Sequence, residues 1–400
     1  MEKSKEQLKE KIVSGKRITP EEAYFLYKEF TLPELGWLAH QRRCLAVNPQ
    51  IVTFLIDRNI NYTNVCNTSC SFCAFYVPTS SHKDAYVLSK ETLALKIKEA
   101  LDLGATRILL QGGHNDDLPF SYYLDLIQWI KSNFPIAVNA FSPSEINQMC
   151  IVSGKTPEEV LLALKNAGLD GLPGGGAEIL DDEVRKRISP KKISAKEWLY
   201  IMSIAQELEL TTSASMVIGF GESIKNRINH LENLRALQEK ALANNKKGFS
   251  AFISWTAQLN KNTSLGRSKN AFKMGADVID YLKNVAVARI YLDNISHHQG
   301  SWPTLGTEVG KLSLYFGCDD FGSTMMEENV VSKAGGFTAK CWSKSPAELC
   351  IAIREAGFTP AQRDSDYNIL KIFKTEVEEE ASGIKLIKSE GNLAVVAEKC

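Results

Sequence analysis

The chain has 400 residues, enough to bury a large core in one big domain or in about two or three ordinary ones. Its 47 basic and 47 acidic residues leave no net charge, which argues against a nucleic-acid or anionic-membrane surface. The start of the chain has no apolar signal-peptide stretch, and no apolar run is long enough to span a membrane. With 9 scattered cysteines, we expect a cytoplasmic protein in a reducing compartment.

The first 50 residues are predicted to form helices that precede the main domain. The run Thr19-Pro20-Glu21-Glu22 begins one of them, because it combines a Thr cap, an early Pro and a Glu that completes a capping box. From residue 51 onward, short apolar runs alternate with amphipathic helical patterns. Beyond residue 370 the chain becomes strongly charged, which indicates a peripheral tail. We therefore expect three regions, at 1–50, 51–370 and 371–400.

The alternation of strands and helices in the main region predicts parallel strand pairing. Eight such units that close on themselves form an α/β fold of the (βα)8 TIM-barrel type, and an open, partial barrel is the alternative. The loops that follow the strands of such a barrel build its active site. The strands are predicted at 52–56, 107–110, 136–138, 169–172, 211–218, 249–253, 287–292 and 312–316. The unusual residues that follow them are, in order, Cys66, Cys70 and Cys73; Gly112, Gly113 and His114; Ser142 and Glu145; Glu178; Trp255; Asp293; and Cys318.

Three cysteines, Cys66, Cys70 and Cys73, have the spacing C-x3-C-x2-C. Thiolates this close together can bind three irons of a [4Fe-4S] cluster and leave the fourth iron without a protein ligand. A structural zinc would need a fourth Cys or His nearby, but the next cysteine is the distant Cys150. A disulfide framework conflicts with an odd number of cysteines in an intracellular composition. The cluster is therefore favoured over zinc and over unreactive thiols.

Several other residues have both a functional and an ordinary structural interpretation. Gly112 and Gly113 leave backbone N–H groups and space for a ligand, or form only a turn. Glu178 follows three glycines and can accept hydrogen bonds from ribose hydroxyls, or face a helix dipole. Phe72 can cover an adenine ring or belong to the core. Arg363 can clamp a carboxylate or belong to a solvated turn.

The candidate acids and bases are also expected among the loops that follow the strands. His114 is a potential proton carrier, although a lone histidine is often structural. Ser142 and Glu145 can bind polar substrate atoms or cap a helix. Asp293 lies on a late loop with two histidines, where a metal site is the less favoured interpretation.

The cysteine spacing, with the aromatic Phe72 before the last cysteine, resembles the signature of the radical S-adenosylmethionine (radical SAM) enzymes. The resemblance implies that S-adenosylmethionine binds the open iron of a [4Fe-4S] cluster and is cleaved to a 5'-deoxyadenosyl radical. It also implies that the Gly-Gly pair binds the amino group of this cofactor. The assigned cofactor-binding residues are Phe72, Gly112, Gly113, Ser142, Glu178 and Glu222, the metal ligands are Cys66, Cys70 and Cys73, and the candidate catalytic residues are His114, Glu145 and Asp293.

Stretches at 57–66, 110–115, 140–143, 172–180, 320–330 and 356–364 carry a more specific resemblance. They are similar to the cyclic dehypoxanthine futalosine synthases of the futalosine route to menaquinone. This implies that the radical takes hydrogen from the ribose part of dehypoxanthine futalosine, and that the substrate radical then adds to its own aromatic ring. A low-potential electron donor such as flavodoxin or ferredoxin is also implied, with no nucleic-acid or membrane partner.

The chain departs from the usual pattern of that family on the side of the pocket. Phe220 and Gly221 stand where a His-Val pair is usual, and Val77 stands where an Arg is usual. The loop at 295–302 is longer, and Cys318 begins a Cys-Asp pair in place of Ala-Asn. Two alternatives therefore stay open. One is a related radical enzyme with another substrate, as in the aminofutalosine synthases or the deazaflavin-forming enzymes, and the other is a non-catalytic iron-sulfur protein.

Overall fold

Three helices form the first part of the chain, as the sequence predicts. The computed structural model of the protein describes residues 2–327, 329–334 and 343–374. The helices are α1 (Glu2–Val13), α2 (Pro20–Glu29) and α3 (Leu32–Ala46). Thr19 caps α2, because its hydroxyl accepts from the backbone N–H of Glu22, and the Glu22 carboxylate accepts from the backbone N–H of Thr19. Tyr27 of α2 donates to Asn284 at 2.8 Å, which ties the helices to the main domain.

The main domain is built on one sheet of 11 strands. The strands are β1 (Ile51–Leu55), β2 (Asp57–Ile60), β3 (Arg107–Leu110), β4 (Ala137–Ala140), β5 (Gly171–Leu172), β6 (Thr211–Ile218), β7 (Phe249–Thr256), β8 (His297–Gln299), β9 (Asp320–Ser323), β10 (Thr359–Arg363) and β11 (Ile369–Ile372). They pair in the order β11-β10-β1-β9-β8-β7-β6-β5-β4-β3-β2. The strands from β1 to β10 pair in parallel, and β11 is antiparallel to β10.

The sheet closes into a barrel through its first strand, whose two halves pair with opposite ends of the strand order. β1 and β2 flank Ile56 in the chain, yet β1 pairs with β9 whereas β2 pairs with β3 at the far end of the strand order. Arg58 of β2 also forms a parallel bridge with Met326, just beyond β9. Counting β1 and β2 as one strand, the ring from there to β9 has eight parallel strands. The predicted (βα)8 barrel is confirmed.

Helices alternate with these strands, and predicted caps begin several of them. The hydroxyls of Ser89, Thr156 and Ser194 each accept a hydrogen bond from the backbone N–H three residues later. The helices of the main domain are α4 (Lys90–Asp102), α5 (Phe120–Asn133), α6 (Pro143–Ser153), α7 (Pro157–Ala167), α8 (Asp182–Ile188), α9 (Ala195–Glu207), α10 (Ile224–Ala243), α11 (Val278–Tyr291), α12 (Trp302–Leu305), α13 (Thr307–Ser313), α14 (Val330–Ala334) and α15 (Pro346–Glu355).

Two predicted strands are wrong, because the structure has helical turns there. The segment 287–292 belongs almost entirely to α11, which is buried along most of its length, and the three residues of β8 follow it. The segment 312–316 spans the end of α13 and a 3-10 turn at Leu314–Phe316, and β9 comes after it. A helix buried on most sides is apolar almost throughout, so its β-branched residues resemble a buried strand in sequence.

A turn after β10 covers the amino-terminal end of the barrel interior. Tyr367 stacks on His297 of β8 with ring centroids 3.9 Å apart. The Arg363 guanidinium lies 3.8 Å from the centroid of the Tyr367 ring. Asp366 accepts a hydrogen bond from Thr211, the first residue of β6. This turn is therefore the floor of the barrel, opposite the loops that follow the strands.

The predicted tail at 371–400 lies mostly outside the described residues, the last of which is residue 374. β11 runs across the expected boundary at residue 370. In the described parts of the chain, no helix has both the length and the apolar composition of a membrane span.

Candidate active site

The three predicted metal ligands lie on a loop that starts shortly after β2. The backbone N–H of Cys66 donates to the carbonyl of Val77 at 2.9 Å, and the N–H of Val77 donates to the carbonyl of Asn64 at 2.9 Å. These bonds join the two ends of the loop. The residues from 66 to 76, which we call the cluster loop, are therefore held as one unit at the carboxyl end of the first strand.

Two thiols of the cluster loop lie beside one hydroxyl group, and the third cysteine is joined to them through the backbone. Thr68 Oγ1 lies 2.9 Å from Cys66 Sγ and 3.7 Å from Cys70 Sγ, and Cys73 donates its backbone N–H to the carbonyl of Cys70. All three cysteines are free of disulfides. Burial raises the pKa of the Cys70 and Cys73 thiols, so a positively charged metal centre would be needed to hold them as thiolates.

The chemistry of these thiols suits an iron-sulfur cluster. Within the described residues, no three His, Cys, Asp or Glu side chains are grouped as ligands of one metal ion. A [4Fe-4S] cluster does not require such a grouping, because each of its three protein sulfurs binds a different iron. A tetrahedral zinc site would also need a fourth ligand. The soft sulfur donors of one short loop therefore suit an iron-sulfur cluster.

The pair Gly112 and Gly113 lies directly against the cluster loop. A Cβ atom on Gly113 would lie 2.1 Å from the carbonyl oxygen of Val65, and one on Gly112 would lie 2.6 Å from the Tyr62 ring. The expectation that their N–H groups are free for a ligand is wrong, because they donate to Glu145 and to the carbonyl of Thr63. Their carbonyl oxygens accept no hydrogen bond within the described part of the chain. The pair therefore offers a ligand acceptors instead of donors.

Ser142 and Glu145 support this glycine pair from behind. Ser142 caps α6, and its hydroxyl donates to Glu145 Oε2 at 2.8 Å. Glu145 Oε1 accepts from the Tyr62 hydroxyl and from the backbone N–H of Gly112, both at 2.9 Å. Burial raises the pKa of Glu145 to about 7, while these bonds partly counteract the rise. Both side chains are buried and away from the cavity wall, so they favour the helix-cap interpretation over a substrate contact.

Glu178 forms an ion pair with a lysine that the sequence analysis did not identify. Lys192 Nζ lies 2.9 Å from Glu178 Oε1, and Arg185 lies 3.5 Å from Oε2. Despite these charges, Oε2 is buried without a hydrogen-bond partner in the described structure. Lys192 also lies 5.6 Å from the centre of the Phe72 ring. An acceptor with an unfilled hydrogen bond, fixed on the cavity wall, suits a hydroxyl-bearing ligand.

Two aromatic rings complete this end of the site. Phe72 of the cluster loop packs on Phe220, with centroids 5.3 Å apart, and both line the cavity. His114 lies next to the loop, where its carbonyl accepts from the backbone N–H of Asn67. Burial lowers the pKa of His114 to about 3, and the side chain is not on the cavity wall. His114 is therefore neutral and lies behind the loop.

The expectation that Asp293 lies at the active site is wrong. It precedes β8 instead of following a strand, and its carboxylate accepts from Arg17 Nε at 2.9 Å. Cys318 likewise precedes β9. Both expectations relied on the two strands that prove helical. Arg363 is buried in an ion pair with Asp320, so it is neither a solvated turn residue nor an open clamp for a carboxylate.

Glu222 is also absent from the cavity wall. Its carboxylate accepts hydrogen bonds from the backbone N–H groups of Gly219 and Phe220 and from Arg227 Nε. The side chain is 0% exposed. The expected cofactor contact stays a prediction, and in this structure Glu222 holds the turn after β6.

A cavity of about 330 Å³ extends from the cluster loop into the barrel. Phe72 and Glu178 line one end, and Tyr367 lines the floor. Barrel interiors are usually filled by branched apolar side chains, and here several polar side chains stand among the apolar ones of the wall. Asn59 Oδ1 and Asn139 Oδ1 are buried there without hydrogen-bond partners among the described residues, so a polar ligand is favoured. The polar residues of the wall include Asn59, Gln111, Asn139, Ser213, Ser215, Ser250 and Gln299.

Comparison with known proteins defines the class of this barrel. Residues 60–234 match the Radical SAM superfamily, and residues 246–376 match the CofH/MqnC C-terminal region. The fold is similar to methylornithine synthase (PylB), with a TM-score of 0.69 and 16% identity, over 88% of this chain and 97% of that one. It is also similar to HydG, a maturase of [FeFe]-hydrogenase, with a TM-score of 0.70 and 19% identity, over 90% and 76%. The protein is an enzyme of the radical SAM superfamily.

Sequence relatives define the family within that class. The chain is 46% identical to cyclic dehypoxanthine futalosine synthase of Halalkalibacterium halodurans, over 91% of this chain and 95% of that protein. The Streptomyces coelicolor enzyme of that name is 41% identical, over 91% and 88%. An aminodeoxyfutalosine synthase of Thermus thermophilus is 37% identical, over 91% and 95%. The chain belongs to the cyclic dehypoxanthine futalosine synthase family, and its superfamily implies a [4Fe-4S] cluster and S-adenosylmethionine.

Proposed function

We propose that the protein converts dehypoxanthine futalosine to its cyclic product in menaquinone biosynthesis. The observation that carries the proposal is the high identity to two enzymes of that name over nearly their whole length. The cavity supports it, because a mainly apolar barrel interior with several polar side chains, next to a thiol-bearing loop, suits a substrate with a sugar and an aromatic ring. When bound, the cluster and S-adenosylmethionine supply a deoxyadenosyl radical that takes hydrogen from the ribose part of the substrate.

The cluster loop and the residues around it bind the two cofactors in this proposal. Cys66, Cys70 and Cys73 hold three irons. The carbonyls of Gly112 and Gly113 accept from the amino group of S-adenosylmethionine, which is a donor and requires acceptors.

The wall beside the cluster loop binds the nucleoside part of S-adenosylmethionine in the same proposal. Glu178 Oε2, which has no hydrogen-bond partner in the described structure, accepts from the ribose hydroxyls. Lys192 holds the other carboxylate oxygen and so fixes the direction of the side chain. Phe72 and Phe220 form an apolar wall that excludes water.

The barrel interior binds the substrate. Asn59 and Asn139 supply acceptors without partners, and the serines of β6 supply hydroxyls that donate or accept. These groups suit the sugar hydroxyls of the substrate. The floor at Tyr367 limits how far the substrate enters. A covered floor also keeps water from a reactive carbon radical.

The alternative substrates have an observation in their favour. Phe220 replaces a histidine usual in the cyclising family, and it lies on the cavity wall in contact with Phe72. Relatives with other names are also similar, including a 39% identical 5-amino-6-(D-ribitylamino)uracil--L-tyrosine 4-hydroxyphenyl transferase of Methanopyrus kandleri. A substrate of that kind would require different partners at the same wall.

Product analysis separates these possibilities. The anaerobically reconstituted protein is reduced with dithionite and incubated with S-adenosylmethionine and, separately, each candidate substrate. We expect deoxyadenosine together with a product of dehypoxanthine futalosine that has lost one hydrogen atom, one electron and one proton. Cys70→Ala is the control and should produce neither. Deoxyadenosine with a product from another substrate only would overturn the specific reaction, and no deoxyadenosine at all would overturn the radical enzyme.

A further inference from the structure

The neutral chain concentrates positive charge in two segments. No Asp or Glu occurs between residues 184 and 196 or between residues 240 and 276. The first segment follows the start of α8, and the second includes the long loop between β7 and α11. The exposed cations that we call the basic rim are Lys186, Arg187, Lys191, Arg267, Lys269 and Lys273.

The basic rim lies directly beside the cluster loop. Ser71, which stands between Cys70 and Cys73, donates its backbone N–H to the carbonyl of Ile188 at 2.8 Å. The carbonyl of Ser71 accepts from the backbone N–H of Leu265 at 2.7 Å. Both basic segments therefore contact the same residue of the cluster loop, and this contact fixes the rim next to the metal ligands.

The charges of the rim are not neutralised within the described structure. None of its six side chains lies within ion-pair distance of a described carboxylate. Asp116 reaches the cluster loop, where its carboxylate accepts from the amides of Asn67 and Gln148. Glu178, which also lies near the loop, is paired with Lys192. Unpaired cations on one surface attract an acidic partner and speed its approach.

The rim also carries an exposed aromatic ring. Phe272 is 79% exposed, and Lys273 Nζ lies 5.5 Å from the centre of its ring. Large aromatic side chains surrounded by charge are typical anchors of protein interfaces. An apolar anchor distinguishes this surface from a merely solvated charged loop.

Resting on the proposed function, we infer that the basic rim and Phe272 dock an acidic electron-carrier protein of the flavodoxin or ferredoxin class. One electron from outside must reduce the site before S-adenosylmethionine can be cleaved. The substrate radical gives up one electron in each turnover, and the carrier restores the site whenever that electron does not return to it. The docked carrier is oxidised by one electron, and the site beside the rim is reduced by the same electron. Electron transfer falls steeply with distance, so the surface that touches the cluster loop is the effective place for the carrier. Small, charge-steered interfaces are typical of such short-lived redox encounters.

The test compares two reductants on the full-length, cluster-loaded protein. Lys269→Glu/Lys273→Glu reverses two exposed charges of the rim, and circular dichroism confirms that the variant folds. Deoxyadenosine formation is measured with dithionite and with a reduced, acidic flavodoxin. We expect similar rates with dithionite and a loss of about ten-fold in the apparent kcat/KM for flavodoxin at low salt. In about 0.5 M salt the loss should shrink to about two-fold, because salt screens the attraction.

A matched control separates docking from net charge. Lys16→Glu/Lys240→Glu changes the net charge by the same amount, on exposed residues that follow α1 and lie near the end of α10. We expect the control to keep wild-type rates with both reductants. Equal flavodoxin-driven rates in the rim variant and the wild type, or an equal loss in the control, would overturn the docking surface.

Calorimetric titration with oxidised flavodoxin gives a readout independent of turnover. We expect the rim variant and Phe272→Ala to bind more weakly than the wild type. If dithionite yields no deoxyadenosine with the wild type, the proposed function fails, and the titration still decides the docking surface. Unchanged affinity in both variants would overturn the docking surface. It would also be overturned if the wild type bound a short DNA duplex more tightly than flavodoxin.

Discussion

Glu145 is a buried carboxyl group whose ionisation works against the folded state. It is 4% exposed and accepts hydrogen bonds from Tyr62, Gly112 and Ser142. Burial raises its pKa from 4.5 to about 7. In Glu145→Gln the amide oxygen can keep the bonds from Tyr62 and Gly112, and the amide nitrogen can donate to the Ser142 hydroxyl, which turns to accept. The variant therefore removes the charge and preserves the contacts.

The expected size of the effect follows from the two pKa values of Glu145. The folded carboxyl holds its proton more tightly than the unfolded one, so wild-type stability falls as the pH rises from 4.5 through about 7. The cost of the buried charge is about 3 kcal/mol near pH 8.5 and about 1 kcal/mol near pH 5.5. A neutral glutamine avoids this cost. We expect the stability advantage of Glu145→Gln to grow by about 2 kcal/mol over that range.

Urea unfolding of both proteins at each pH, under anaerobic conditions and at equal iron content, measures this advantage. Glu10→Gln, which removes an exposed carboxylate of α1, is the control for the loss of one charged group. An advantage of Glu145→Gln that is equal at both pH values, or that falls as the pH rises, would refute the reasoning from burial.

Three further changes test the site. Gly113→Ala should lower the iron content several-fold, because its Cβ would lie 2.1 Å from the carbonyl oxygen of Val65, and full iron binding would contradict the close packing. Glu178→Gln leaves Lys192 without its carboxylate, so equilibrium dialysis should show binding of S-adenosylmethionine weakened by about ten-fold at unchanged iron content. Asp293→Asn should keep turnover within about two-fold of wild type because it lies at the other end of the barrel, and a large fall in kcat would contradict that placement.

Strands β1 and β3 to β7 could be predicted because local signals mark their boundaries. A capped helix begins shortly after or before most of them, as at Ser89, Thr156 and Ser194. Strand β6 also shows clear alternation, with every second residue buried from Thr212 to Ile218. Such signals depend on neighbouring residues, so they are visible in the sequence.

The last two strands of the barrel ring, β8 and β9, could not be predicted, because their own sequences carry little signal. β8 has only three residues, and two of them are histidines. The run from 285 to 292, just before β8, is more hydrophobic than β8 itself. It belongs mostly to α11, which is covered by α2 and α3 on one side and by the barrel on the other. Periodicity alone does not separate a fully buried helix from a buried strand. The misplaced strand moved Asp293 to the wrong end of the barrel.

The site could be predicted where it lies on one short segment, but not where it depends on contacts between segments. The cysteines of the cluster loop are within eight residues of each other, so their spacing indicates their chemistry. Lys192 gave no such signal, because it follows α8 whereas its ion-pair partner Glu178 precedes that helix. The bond from Tyr62 to Glu145 joins residues that are 83 positions apart. Partners of this kind can be found only after the strands are placed in order.

The net charge of the chain is an equally limited guide, because it does not show where the charged residues lie on the surface. Equal numbers of acidic and basic residues exclude a strong overall field, but they allow a local one. The fold brings two segments without carboxylates against Ser71, so their positively charged side chains lie on the same part of the surface. Within a Debye length of about 10 Å, such neighbouring charges act together on an approaching protein. The neutral composition of the chain therefore does not argue against an acidic partner at the surface around the cluster loop.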